Sequence, residues 1–339
     1  MREDTVTLAH GAGGVAMREL VETVILPRLA NPHLAPLEDQ ARLPADLPPG
    51  ARLALTTDAH VVDPLCFPGG DIGRLAVAGT VNDLAVGGAE PRHLTCALVI
   101  EEGLPLATLE RVLDSLAETA RTAGVTVVAG DTKVVPRGAA DGLFIVTSGL
   151  GVIPPGVDLG THRIRPGDTL LVSGTVGDHG AAITAAREDL GLGAAIPSDC
   201  RPLADLVRAL LAACPGTRCL RDPTRGGLAA LLDEFARASG TCLRVSEAAI
   251  PLREDVRGLC ELLGLDPLHL ACEGKLVAVV PAAEADAALA ALRAHPAGRG
   301  AARIGTVHPA PAGQVVLETA YGGERLLDPP LGEPLPRIC

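Results

Sequence analysis

LATLERVLDSLAETARTAGVTVVAGD, residues 106–131, reads as one helix running into one strand. Leu109, Val112, Leu113, Leu116 and Ala120 recur at steps of three and four, which is one face of an α-helix, and Gly124 is a natural stop. VTVVAG is then β-rich and short and ends at Asp131. RLALTTD, residues 52–58, repeats the pattern of a strand ending in an acid. GRLAVAGTVNDLAV (73–86) fits helix or strand by periodicity, with helix preferred and Asp83 on it or at its end, and GLFIVTSGLGVI (142–153) predicts a strand. Further on, TLLVSGTVGDHG opens as a strand, helical patterns fall at 202–213, 226–239 and 283–294, and strands near 241–246, 275–280 and 314–318. Strands mixed with helices in both halves predict an α/β (α+β) chain of two domains. PPGVDLGTHRIRPGD, residues 154–168, marks the boundary, which gives domains 1–155 and 156–322 and a last segment, 323–339.

The 339 residues suit two domains, and 47% apolar content supplies a core. Three Phe, one Tyr and no Trp argue against stacking platforms for single-stranded nucleic acid. A net charge of −12 repels nucleic acid and anionic lipid alike. A nucleotide carried on Mg²⁺ stays compatible, because the metal reverses the local sign. No apolar run is long enough for a membrane span, and MREDTVTLAHGAGG lacks the regions of a signal peptide, so a cytoplasmic location is expected. Nine cysteines without a C-x-x-C pair give no support to a zinc site or disulfide framework. Most read as small buried hydrophobes. Cys339 stands apart: PPLGEPLPRIC has four Pro in eleven residues, reads as an extended arm, and ends on this thiol.

Of 29 basic residues only Lys133 and Lys275 are Lys, which points to work that a guanidinium cannot do. Gly11, Gly13 and Gly14 precede a helix-like stretch and suit either a phosphate-binding turn or a plain flexible one. Asp58, Asp83 and Asp131 each follow an apolar stretch able to carry them to one sheet edge, where converging carboxylates need a cation such as Mg²⁺ between them. Asn82 adjoins Asp83. RDPTRGG places Asp222, Thr224 and Arg225 before a helix, as a cap or a phosphate contact. CEGK sets Glu273 near Lys275 with no pairing implied, and His10 and His179 read as solvated loop residues.

LAHGAGG, FPGGDIGRLAVAGTVNDLAVGGAEPR, EEGLP, VVAGDTKVVPRGAADGLFI, VSGTVGDHGA, LRDPTRGGL, CEGKL and PRIC follow one another along essentially the whole chain. Together they resemble the HypE family, the carbamoyl dehydratases of NiFe-hydrogenase maturation, within the ATP-binding superfamily of aminoimidazole ribonucleotide synthetase. One departure is Cys272 in CEGK, where Asn is the family pattern. The resemblance implies a two-domain synthetase-like fold, ATP binding and homodimerisation through the N-terminal domain, and a flexible C-terminal arm. It implies that Cys339 accepts a carbamoyl group from the carbamoyltransferase HypF and that ATP phosphorylates the carboxamide oxygen. The resulting thiocyanate is passed as cyanide to iron on a HypC–HypD complex. It places Lys133 and Glu273 around the carboxamide, and Mg²⁺ on Asp58, Asp83 and Asp131. Nucleotide contacts fall to these three, to Asn82, Thr132, Gly11, Gly13 and Gly14, and to Asp222 and Arg225. Two alternatives stay open: a non-catalytic ATP-binding scaffold for maturation partners, or another ATP-dependent synthase or kinase of the superfamily.

Overall fold

The computed structural model describes residues 4–37, 40–44, 46–187, 196–330, 332, 335 and 337–339. After α1 (Val15–Leu20), a π-helical turn (Val21–Ile25) and α2 (Leu26–Leu29) come β1 (Arg52–His60), the short hairpin β2 (Cys66–Phe67) and β3 (Gly70–Asp71), and α3 (Ile72–Val86). β4 (Glu90–Glu101), α4 (Leu106–Ala123), β5 (Thr126–Val135) and β6 (Leu143–Ile153) complete a four-stranded sheet of order β1-β6-β4-β5. Helix α4 links the parallel pair β4 and β5, while β6 runs antiparallel to both of its neighbours.

The second half contains β7 (Thr169–Val172), α5 (Asp178–Arg187), α6 (Ala204–Ala213), β8 (Cys219–Arg221) and α7 (Gly227–Ser239). It continues with β9 (Cys242–Ser246), α8 (Glu254–Leu263), β10 (Val277–Val280), α9 (Ala285–Ala294), β11 (Ala302–His308), β12 (Gln314–Glu318) and β13 (Glu324–Leu326). Its strands form one sheet of order β13-β12-β9-β11-β7-β10-β8, antiparallel except where β12 meets β9.

The helix expected at 106–124 is α4, with Leu109, Val112, Leu113 and Leu116 fully buried and Gly124 closing it at φ +69°. The 73–86 expectation is met by α3, started by Asp71, whose carboxylate accepts from the Arg74 amide at 3.0 Å. Thirteen of its fifteen residues are buried, because it lies between the first sheet, α4, α6 and β8. Small residues make that position possible. A Cβ on Gly73 would come within 2.2 Å of the Val112 carbonyl oxygen, and one on Gly79 within 3.1 Å of the Asp58 carboxylate. Two strand ends differ from expectation: β1 runs on to His60 and β5 to Val135, so neither Asp58 nor Asp131 terminates its strand.

That extension decides which face each acid occupies, since side chains alternate along a strand. Asp58 pairs with Thr147, whose hydroxyl donates to the Ala76 carbonyl of α3, so Asp58 lies on the helix-covered face. Asp131 pairs with Ala97, and Ala97 with Val146, on the opposite, open face. This open face carries Leu53 and Leu55, which are 60% and 78% exposed. Gly73→Ala should lower stability by about 1–3 kcal/mol through overpacking at the α3–α4 contact, read as a reduced midpoint in urea.

Candidate active site

A cleft of about 720 Å³ lies between the two halves, lined by Thr56 and Asp83 from one and by Asp222, Thr224 and Arg225 from the other. The order of the first sheet places β1 at its edge, and α3 carries Asp83 alongside, where the Thr56 hydroxyl donates to its carboxylate at 3.0 Å. Asp58 sits 3.2 Å from the Nε2 of His60 and accepts from the Ala59 amide. Burial opposes its charge, but these partners outweigh burial and hold its carboxyl below the usual range. Asp83 goes the other way, pushed up by burial and by Asp58 against the Thr56 hydrogen bond.

Asp222 and Glu273 enter from the second half on the loops before α7 and before β10, tied together where the Cys272 amide donates to the Pro223 carbonyl at 2.9 Å. Asp222 is pushed up to about 7 by burial and by the negative field of Asp83. Glu273 is 3% exposed and raised well above its ordinary value, first by burial and then by Asp222, Asp199, Asp58 and Asp83. Its Oε1 is buried without a hydrogen-bond partner among the described residues. Such a setting favours the protonated form of a carboxyl.

Cys339 lies within electrostatic reach of this acid. Ile338 belongs to the core shared by both halves, and the Val61 amide donates to the Cys339 carbonyl at 3.0 Å. Burial, then Glu273, push the thiol up to about 12, against a smaller opposing effect of Arg225. The last residues of the arm are therefore seated, and their thiol is neutral.

Lys275 lies behind Glu273, buried, with Nζ 3.5 Å from Asp178 and 3.4 Å from Asp199. Asp199 also accepts from the Glu273 amide at 3.0 Å, and the Thr175 hydroxyl donates to Asp178. Glu273 and Lys275 thus make no direct pair; Asp199 joins them.

The remaining expected residues divide. Gly11 packs against Val134 of β5, the strand that carries Asp131, Thr132 and Lys133, while Gly13 and Gly14 follow with open space around them. Lys133 pairs with Asp131 at 2.9 Å, and both side chains are mostly exposed on the open face. The lysine hydrogen bond is the main influence holding Asp131 below the usual carboxylate range. Thr132 is buried on the other face. Three strand steps of roughly 4.8 Å, and the sheet itself, separate this group from Asp58. The expected convergence of Asp131 with Asp58 and Asp83, and of Lys133 with Glu273, does not occur within one chain.

Three further corrections are local. Asn82 is fully buried with its amide taken by the protein: Nδ2 donates to the Arg201 and Glu273 carbonyls, and Oδ1 accepts from the Leu203 amide at 2.8 Å. It pins the two halves together rather than facing the cleft. His10 is buried and accepts from the Thr7 amide at 3.0 Å. His179, instead of lying in a solvated loop, is fully buried on α5.

Among the described residues no group of three or more His, Cys, Asp or Glu side chains is arranged to cage a metal ion. Asp58 and Asp83, close enough to perturb each other, instead fit Mg²⁺ of the kind that keeps its waters and arrives on phosphates, which needs only one or two carboxylates. No described helix is long and apolar enough to cross a membrane.

Folding takes up a proton on Glu273 at any pH above its ordinary value of 4.5 and below its raised one. The stability tied to this group is complete below 4.5 and declines as pH rises. Glu273→Gln should flatten that decline and stabilise the chain by about 1 kcal/mol at neutral pH, read from thermal midpoints across pH.

Residues 37–153 match the family described as AIR synthase related protein, N-terminal domain, and 165–318 its C-terminal domain. A carbamoyl dehydratase HypE of Rhodobacter capsulatus is 56% identical over 100% of this chain and 99% of its own length. That of Escherichia coli K12 is 52% identical over 99% and 100%. The crystal structure of the hydrogenase maturation protein HypE in complex with ATP superimposes with a TM-score of 0.94 at 49% identity, covering 99% of this chain and 100% of the other. A HypE chain from a HypE–HypF complex gives 0.80 at 44%, covering 92% and 99%. With these identities over the full length and this cleft between the halves, the chain belongs to the HypE family of carbamoyl dehydratases.

Proposed function

We propose that this chain dehydrates a carbamoyl group carried on Cys339 to a thiocyanate at the expense of ATP, supplying cyanide for the iron of NiFe hydrogenase. The observation that carries the reading is the seating of Cys339 beside the buried Glu273. An amide oxygen is a poor leaving group, and phosphorylation makes it a good one. Phosphoryl transfer calls mainly for positioning and charge neutralisation. Mg²⁺ bound with the nucleotide supplies that neutralisation, and Asp58 and Asp83 would hold it. Asp222, Thr224 and Arg225 line the nucleotide cleft.

The protonation states give an order of events. A thiol raised to about 12 cannot serve as the nucleophile while seated, so Cys339 accepts the carbamoyl group away from this cleft, in the partner HypF. The loaded thiocarbamate is neutral and returns to the seat without the cost of burying a charge. Glu273 becomes a base for the nitrogen protons only when positive charge enters the cleft and relieves its repulsion from Asp222, Asp58 and Asp83. The thiocyanate then leaves with the arm for a HypC–HypD acceptor.

The β5-edge group joins the site from a second copy. The open face, with Leu53, Leu55 and Val146 exposed, is apolar, and a second sheet would cover it. In this homodimer Asp131, Lys133 and the glycine turn of one copy serve the cleft of its partner. Residues 1–155 are then the ATP-binding and dimerisation domain, 156–322 the second domain, and 323–339 the shuttling arm.

Mass spectrometry of the chain after incubation with HypF, carbamoyl phosphate and Mg-ATP should show one carbamoyl on Cys339 and then ATP-dependent loss of one water. Cys339→Ala should bind ATP yet form no product. ATP binding without any modification of the wild-type chain would favour a scaffold.

Shared sites have their own signature. Lys133→Ala and Glu273→Gln should each be inactive alone, and after subunit exchange an equal mixture should recover about a quarter of wild-type activity. No recovery in exchanged mixtures would place both residues in one chain's site. Leu55→Asp should give monomers by sedimentation and lower the turnover.

A further inference from the structure

The end of the arm is held in a way that the dehydration chemistry does not require. The Val61 amide donates to the Cys339 carbonyl at 3.0 Å and the Asp63 amide to the Arg337 carbonyl at 3.4 Å. The paired numbers fall as one rises, two residues at a time, an antiparallel pattern of two bonds made without a strand, since Arg337 turns at φ +55°. The carbonyl between them, that of Ile338, accepts from the Nε2 of His179 at 2.7 Å. Arg187 donates to the Arg337 carbonyl and, at 2.6 Å, to that of Asp63. Every carbonyl of residues 337–339 is therefore taken by a donor of the body.

His179 is fixed for this task. A carbonyl only accepts, so Nε2 carries the proton. Burial holds the ring below its ordinary pKa, hence neutral, so Nδ1 accepts from the Ser198 hydroxyl at 2.8 Å. The Ser198 oxygen in turn accepts from the Cys200 amide at 3.1 Å. The chain of three bonds sets one tautomer and one ring orientation.

Among the described residues of the segment, Arg337 and Cys339 make polar side-chain contacts, Cys339 with Arg225. Arg337 pairs with Asp141, donates from Nε to the Val61 carbonyl at 3.0 Å, and lies over the Phe144 ring at 5.8 Å. An apolar cavity of about 290 Å³ lies among Pro330, Leu335, Ile338, His269 and Arg225.

We propose that residues 61–63, Asp141, His179 and Arg187 form a peptide-binding site that reads the main chain of Arg-Ile-Cys together with the arginine. His179 acts in it as a positioning residue. Such a site needs no covalent continuity with the arm it holds. It accepts a free peptide of this sequence, or the arm of a second copy, in place of its own. The inference concerns seating alone and stands independently of the dehydration reading, so its test contains neither ATP nor carbamoyl donor.

In the full-length chain, alkylation of Cys339 by iodoacetamide is followed on its tryptic peptide. It should run at least about tenfold slower than alkylation of the free peptide Glu-Pro-Leu-Pro-Arg-Ile-Cys, as for a protected group that reacts only on local opening. Excess Glu-Pro-Leu-Pro-Arg-Ile-Ala should raise the rate several-fold once it exceeds the arm's effective concentration, about millimolar. The same peptide with Ala for Arg should compete about tenfold more weakly. Arg337→Ala, which leaves the body intact, should speed alkylation without any added peptide, and His179→Ala should do the same. An alkylation rate equal to that of the free peptide in the wild-type chain would overturn the seating. A protected thiol that no concentration of competitor exposes would overturn the peptide site and leave only a tethered tail.

Discussion

Taking Glu273 and the Cys339 thiol out of water together is the condition on which the rest of the cleft depends. Either group ionised would face the low local dielectric and the charges of Asp58, Asp83 and Asp222. Burial and these charges favour the neutral form of each group, so this seat disfavours a thiolate. Cations entering the cleft meet the opposite situation, a field of carboxylates with Arg225 among them.

The support behind Glu273 follows from the same condition. Lys275 is buried with Asp178 on one side and Asp199 on the other, and such ion pairs offset the cost of burial. Asp199 spends its second oxygen on the Glu273 amide. The acid is therefore positioned through its backbone and leaves its Oε1 without a hydrogen-bond partner among the described residues.

Local periodicity carried much of the architecture. The α4 face, its glycine stop and β6 were legible because each depends on spacing within one segment, whereas periodicity left α3 open between helix and strand. The scarcity of lysine drew attention to Lys275, although nothing local named its partners. What was lost depended on a few residues of strand length or on contacts far along the chain. Extending β5 by four residues beyond Asp131 turned an expected strand-end acid into one on the open face. Asn82, beside an acid that lines the cleft, gave no sign that its amide joins residues more than a hundred positions away. His179 looked solvated because a Gly-rich neighbourhood suggests a loop, whereas the helix that buries it starts one residue earlier.

Asp178 and His179, the first two residues of α5, face different tasks: one pairs with Lys275 and the other holds the Ile338 carbonyl. Neighbours on a helix point about 100° apart, and here both directions are used. A single residue inserted into or deleted from that turn rotates one of the pair out of place whatever the new residue is. A change of length there cannot be absorbed, so sequences that keep both contacts should show no gap at the start of α5.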